Sequence, residues 1–349
     1  MQKMNFGRLR TVAGFAATAL IVSVMVSVPT SAMAAKKVTV GIAYDLGGRS
    51  QPGFNQLAYI GAKAYSDKHP GTINIKELQA SLSDTDDIRA ERLRLLVSAG
   101  ANPIVAVGFS YSASLAKIAK EFPKVKFGIV DDGSVVAPNV EWILFKEEEG
   151  SFLVGAIAAL KSKTGKIGFI GGVKIPLIQK FEAGYIAGAK QINPKIEVQS
   201  TYISLPPDFS GFNDPAKGHE AALGMFQNGV DVVYSAAGGT GGGAHKAAYE
   251  QGKFSIGVDA DEAKYASNAA YKSVIITSML KRVDTGVFSF LTDVFGKKFK
   301  AGSHIFGVSN NGVGFTTTGG KITSIVAKIN ALSKKIASGA IKVPTVPTM

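Results

Sequence analysis

The stretch Val232 to Tyr249, VVYSAAGGTGGGAHKAAY, runs from an apolar segment into a glycine cluster and then into a helix-forming segment. Gly239, Gly241 and Ala244 satisfy the spacing G-x-G-x-x-G/A, and Asp259 lies 20 residues past Gly239 at the end of the next apolar run. This is the chemistry a dinucleotide requires: glycines let the backbone approach a pyrophosphate at a helix start, and a later acid binds the ribose hydroxyls. The match falls deep in the chain rather than at its first strand–helix unit. No other segment offers a pyrophosphate or nicotinamide site, and the bare motif gives false positives.

Other reactive constellations are missing. His69, His219, His245 and His304 are scattered, without the i, i+4 spacing that places two imidazoles on one helical face. There is no G-x-S-x-G nucleophile elbow and no GK[ST] phosphate loop. Asp84, Asp86 and Asp87 (DTDD) would suit the metal site of a nucleoside-cleaving hydrolase. They directly precede an amphipathic segment, however, so capping by Asp84 or Thr85 accounts for them. These readings give no catalytic residue, no metal site and no cofactor, and a binding protein rather than an enzyme is expected.

The remaining chemistry sits at the ends of apolar runs. VTVGIAY ends at Asp45, VKFGIV at Asp131, KIGFIGG in Gly171 and Gly172, VDVVYSAA in the glycines from Gly238, FSIGV at Asp259, and VIITSML at Lys281. Short continuous apolar runs alternate with helical patterns almost to the end of the chain, which predicts parallel sheets covered on both faces. The pattern restarts after Lys161, predicting two doubly wound α/β lobes. In such sheets ligands bind beyond the carboxyl ends of the strands. Asp and Gly also occur there as turn formers and caps. The full set is better explained by two edges facing each other across a cleft. The expected spans are 37–140 plus 278–297 for the first lobe and 141–277 plus 298–349 for the second. The strand SVIITSM and the helix after it are expected to return together to the first lobe. Glu147, Glu148 and Glu149 are read as opening a helix, where negative charge suits the helix dipole.

Composition bounds the class. Lys3, Arg8 and Arg10 precede an apolar run from about Val12 to Val28, followed by Pro29 and the small residues Ala32 and Ala34. This is the layout of a cleavable secretory signal over residues 1–34, and the run is shorter than the ~20 residues that span a bilayer. The 349 residues include no Cys, so no lipid is attached there and no disulfide or thiolate metal site exists. A soluble, exported, periplasmic protein is expected, and dinucleotides are scarce outside the cytoplasm. The net charge is +13, but the lysines are dispersed in short pairs such as Lys297-Lys298, with no basic helix and no aromatic RNA-binding motif. No nucleic-acid partner is expected, and nothing suggests more than a monomer.

Eight segments in order, including VTVGIAYDLGG…GFNQLAYIGAKAY, PIVAVGFSYSASLAKIAKEFP, VKFGIVDD, FEAGYIAGAKQINP, SAAGGTGGGAHKAA, IGVDADE and ITSMLKRVD, resemble the basic membrane protein family. These are periplasmic or lipid-anchored substrate-binding proteins of ABC transporters, and the family's characterised members bind purine nucleosides. The resemblance covers the whole mature chain. It implies the two-lobed periplasmic-binding-protein fold (type I), a nucleoside ligand with purines favoured, an inner-membrane permease as partner, and capture by closure of the lobes. By the same resemblance Phe54 and Phe181 sandwich the base, Asn55 and Asp131 meet its edge, and Asp259 and Lys281 hold the ribose. Asp45 lies beside the loop, and the amides of Gly238 and Gly239 approach the ligand closely. A glycine turn followed by an acid makes a ribose site in either fold, which explains the dinucleotide-like spacing. The family usually carries acids in the loop that here reads GGRSQPGFNQ; Ser50, Gln51, Pro52 and Gly53 replace charged positions, and Arg49 or Gln51 is expected to contact the base in their place. That departure weakens the purine assignment more than the nucleoside assignment. A sugar receptor of the same fold is the rival binding protein, although sugars more often stack on Trp and the chain has only Trp142.

Overall fold

The structure is a computed structural model, described here for residues 37–50, 52–81 and 83–348. The expected signal segment lies outside the described residues, as does Gln51.

Strand β1 (Val38–Leu46) is followed by α1 (Phe54–Lys68), β2 (Ile73–Ala80), α2 (Asp86–Ser98), β3 (Ala101–Ala106), α3 (Ser112–Glu121), β4 (Phe127–Val130) and β5 (Val140–Phe145). The second run comprises α4 (Glu147–Lys161), β6 (Lys166–Val173), α5 (Pro176–Ile192), β7 (Glu197–Ser204), α6 (Pro215–Gln227), β8 (Val232–Ala236), α7 (Gly241–Glu250), β9 (Phe254–Gly257) and β10 (Ile275–Lys281). The chain then forms α8 (Val283–Phe295), β11 (Gly302–Phe306), β12 (Val313–Phe315) and α9 (Val326–Ala337). The strands build two six-stranded sheets, β11-β5-β4-β3-β1-β2 and β12-β10-β9-β8-β6-β7. Every pairing is parallel except β12 with β10.

The two orders are the same topology used twice. β1 corresponds to β6, β3 to β8, β4 to β9 and β5 to β10. The continuous apolar runs are explained by this arrangement, because Val40, Ile42, Ile104 and Ile129 in the first sheet and Ile167, Phe169, Val233 and Ile256 in the second have no exposed surface.

Strand pairing departs from the expected spans in three places. β5, placed almost wholly in the second lobe by a boundary after 140, completes the first sheet beside β4. β10, expected in part to return to the first lobe with the helix after it, stays in the second sheet beside β9. The helix does return: α8 packs on α1. β11, expected in the second lobe, pairs with β5 in the first. The physical reason is adjacency, since consecutive parallel strands pair with their neighbours before a chain crosses over. The backbone therefore passes between lobes after β5, after β10 and after β11.

Two helix starts follow the local chemistry. Thr85 caps α2 by accepting from the Ile88 amide at 3.3 Å. Asp84 is held by Arg92 and by Ser81 Oγ (2.9 Å), so it braces the same turn instead of offering a free metal ligand. α4 and α5 meet along a seam of small residues. A Cβ on Gly184 would lie 2.1 Å from the Glu148 carbonyl oxygen, and one on Gly188 would lie 1.9 Å from that of Phe152. Only glycine admits so close an approach.

Candidate functional site

The carboxyl ends of both sheets open onto one cleft with a cavity of ≈ 180 Å³. An engineered cavity of about 150 Å³ accommodates a benzene ring, so this space is on the scale of a small ring compound and far too small for a polymer. From the first lobe come Asp45 at the end of β1, Phe54 and Asn55 at the start of α1, and Asp131 just past β4. From the second come Phe181 on α5, Gly238 and Gly239 after β8, Asp259 after β9, and Lys281 at the end of β10. All nine expected residues therefore line the same cavity.

The duplicated topology sets the positions of the two acids. Asp131 and Asp259 each follow the fourth strand of their sheet, and each adopts a left-handed backbone, with φ of 66° and 65°. Among non-glycine residues Asp tolerates this region better than most, and such conformations concentrate where side chains must be aimed at a site. Gly238, at φ 55°, starts a short turn ahead of α7, so the amino end of that helix faces the cleft. A Cβ on Gly238 would come within 2.9 Å of the Phe212 carbonyl oxygen.

At the centre lies a buried ammonium. Lys281 Nζ donates to Asp131 Oδ2 at 2.6 Å and pairs with Glu147 Oε1 at 3.1 Å. It also lies 5.3 Å from the centre of the Phe54 ring and 5.6 Å from that of Phe181. The Phe145 ring, at the end of β5, is 5.4 Å away as well, so the ammonium sits among three rings, of which Phe54 and Phe181 also line the cavity from opposite lobes. Burial alone would depress Lys281, but Asp131, Glu147 and Asp259 outweigh it and hold its pKa above the ordinary lysine value. Burial pushes Asp131 up to about 6, against the pull of Lys281. Burial likewise raises Asp259 to about 7, with Lys281 opposing and Asp131 and Glu262 adding to the rise. The Asp259 carboxylate has no hydrogen-bond partner among the described residues.

Several expected contacts are altered. Asn55, expected to meet the base edge, is half committed to the backbone. Its Nδ2 is committed to the Leu46 carbonyl at 2.7 Å and to that of Asp45 at 3.4 Å, and only the buried Oδ1 lacks a partner. Asp131 Oδ2 is taken by Lys281, leaving Oδ1 buried without a partner. Lys281 grips two carboxylates, one of them across the lobes. Asp45 Oδ1 accepts from Ser110 Oγ at 3.0 Å; burial raises its pKa and that bond partly offsets the rise. Arg49 points away from the cleft, lying over the Tyr59 ring at 4.4 Å and pairing with Glu77 at 3.4 Å.

Two contributors escape a reading of the sequence. Glu147 is wholly buried and holds both Lys281 and Lys180, whose Nζ is 3.2 Å away. In the sequence it is one of three glutamates at a helix start, where dipole compensation is explanation enough. The other is a brace behind Asp259. His245 joins Ser255 Oγ at 2.9 Å through Nδ1 and Glu262 Oε2 at 2.8 Å through Nε2, while Glu262 Oε1 accepts from the Val258 amide at 2.7 Å. Ser255 and His245 have no exposed surface. The trio resembles a hydrolytic triad in composition, yet its serine is out of reach of a ligand, and its effect is to fix the turn carrying Asp259.

Comparison with known proteins agrees with this architecture. The family profile described as Bmp, "ABC transporter substrate-binding protein PnrA-like", matches residues 37–346. The chain is 35% identical to the CD4+ T-cell-stimulating antigen of Listeria monocytogenes over 328 residues, covering 89% of each chain. It is 32% identical to the ABC transporter nucleoside-binding protein BmpA of Lactococcus lactis subsp. cremoris, covering 90% of this chain and 92% of that one. A crystal structure of ABC transporter solute-binding proteins from Aeropyrum pernix K1 superposes with a TM-score of 0.74 at 28% identity, over 88% of this chain and 93% of that one. Two duplicated, mostly parallel sheets, a cleft at their carboxyl ends and a family match along nearly the whole described chain lead to one conclusion: this protein belongs to the Bmp, PnrA-like family of ABC transporter substrate-binding proteins.

Proposed function

We propose that the protein captures a nucleoside, with purines favoured, and delivers it to a membrane permease after export from the cytoplasm. The observation that supports this most strongly is the presence of Phe54 and Phe181, from opposite lobes, in the lining of one cavity that also holds a buried Asp259 carboxylate with no hydrogen-bond partner among the described residues. A base stacks on aromatic faces with ~1–3 kcal/mol per base. A carboxylate accepts from both hydroxyls of a pentose diol, and the amides ahead of α7 offer donors to its oxygens. The relative in Lactococcus lactis is named for nucleoside binding, which favours the same ligand class. Among the described residues no helix is long and apolar enough to cross a membrane, in keeping with a protein that meets its permease from outside the bilayer.

The site residues take these roles in the proposal. Phe54 and Phe181 stack the base. Asn55 Oδ1 and Asp131 Oδ1, both acceptors, face its donor edge with Asp45 nearby. Asp259 and Lys281 hold the pentose, assisted by the backbone at Gly238 and Gly239. A thermal-shift panel of adenosine, guanosine, inosine, cytidine, free bases and ribose tests the reading. Stabilisation by one or more nucleosides, with little effect from ribose or a free base alone, is expected. Equal stabilisation by ribose and by nucleosides would replace the proposal with a sugar receptor. Release of free base on prolonged incubation would replace it with a hydrolase.

A further inference from the structure

Glu141, Asp293 and His304 form a second polar cluster outside the cleft. The cleft lies at the carboxyl ends of the strands, whereas Glu141 is the second residue of β5 and Asp293 lies in the last turn of α8. The cluster is therefore at the opposite end of the first lobe. Register explains how it forms. Glu141 sits opposite Gly302 and His304 opposite Ile143. Glu141 and His304 are thus diagonal neighbours on one face of the sheet, and α8 packs over β5.

His304 Nδ1 lies 2.9 Å from Glu141 Oε1 and 3.9 Å from Asp293 Oδ2, and one ligand atom from each of the three residues falls within 4.8 Å of the others. Atoms bound at ~2.0–2.1 Å to a tetrahedral zinc stand about 3.3 Å apart, so a small movement would satisfy the ion. Glu141 has no exposed surface, and its second oxygen, Oε2, is buried without a partner. Among the described residues His304 is the one basic side chain within ion-pair distance of either acid. A buried carboxylate with an orphaned oxygen calls for a cation or a proton.

We infer that Glu141, Asp293 and His304 form a binding site for a divalent transition-metal ion, with an imidazole and two carboxylates as ligands. One imidazole with two carboxylates suits zinc or manganese better than calcium, which takes only oxygen. The ion would tie the edge strand β11 to β5 and α8, at the end of the first lobe away from the cleft.

The test uses tag-free exported protein, stripped with chelator, desalted, and titrated with Zn²⁺ by calorimetry at neutral pH. One ion per chain is expected, together with a chelator-reversible rise in Tm. His304→Ala and Asp293→Asn should each weaken zinc binding by about tenfold or more, while His219→Ala, at the surface pair with Glu250, should leave it unchanged. Both key variants alter partly exposed side chains, so a failure to fold is not the expected confounder. Absence of both heat and a Tm change in the wild type, or undiminished zinc affinity in His304→Ala, would overturn the inference. So would loss of binding in His219→Ala alone.

Discussion

Lys281 concentrates the electrostatics of the cleft in one atom. Its ammonium faces Asp131, Glu147 and Asp259, so removing it leaves buried carboxylates without compensation. Lys281→Met should lower stability by about 3–5 kcal/mol, the usual consequence of breaking a buried ion pair from one side. Adding Asp131→Asn should restore part of the loss; chemical denaturation of the single and double variants measures both. Proton linkage gives a second expectation. An unfolded Asp ionises near 3.9, but burial holds Asp259 at about 7 and Asp131 at about 6 in the fold. Between those values the folded protein retains protons that the unfolded chain has lost. Stability of the ligand-free protein should therefore fall as pH rises from about 4 to about 7, and level off above that. Asp259→Asn should flatten the upper part of this profile. These residues were visible in the sequence as polar ends of apolar runs, but their partners were not. Lys281 lies 150 positions from Asp131, and no local pattern signals that contact.

At the scale of elements, the seam between α4 and α5 fixes both Glu147 and Phe181. Gly184 and Gly188 place α5 against the α4 backbone, and Phe181 lies one turn before Gly184. Gly188→Val should push the helices apart and displace Phe181 from the cleft. The loss expected is about 1–3 kcal/mol, typical of overpacking, with a parallel drop in ligand affinity read by calorimetry. The strand and helix order was legible because fully buried parallel strands and amphipathic helices write different periods. The crossing points were less so. β10 and α8 adjoin in sequence but serve different lobes, and that division is decided by pairing with β9 and packing on α1. The start of α4 misled in a similar way. Three glutamates at a helix amino end satisfy the dipole rule, which hides the burial of Glu147.

For the whole molecule, the repeated sheet order places equivalent acids, Asp131 and Asp259, on facing rims, and three backbone passages join the lobes. Contacts across the cleft belong to the arrangement described here: Lys281 with Asp131, and the Phe109 ring 5.7 Å from that of Phe209. A ligand that joins both rims favours this arrangement over an open one by as much as its affinities for the two differ. Phe209→Ala removes a cross-cleft contact but no proposed ligand contact. It should speed ligand dissociation several-fold in stopped-flow measurements while changing association little. An unchanged dissociation rate would mean that the ring pair plays no part in closure. The two-lobed architecture was legible from the restart of the pattern after Lys161, and the resemblance along the whole chain pointed to the same fold.

The account rests most heavily on Asp259, a buried carboxylate offered to the pentose of a nucleoside. Calorimetric titration of the wild type and of Asp259→Ala with the nucleoside that most stabilises the protein tests this directly. Retained folding with affinity reduced by about a hundredfold or more, in line with the loss of charge-assisted hydrogen bonds, is the predicted result. Equal affinities in the two proteins would contradict the assignment.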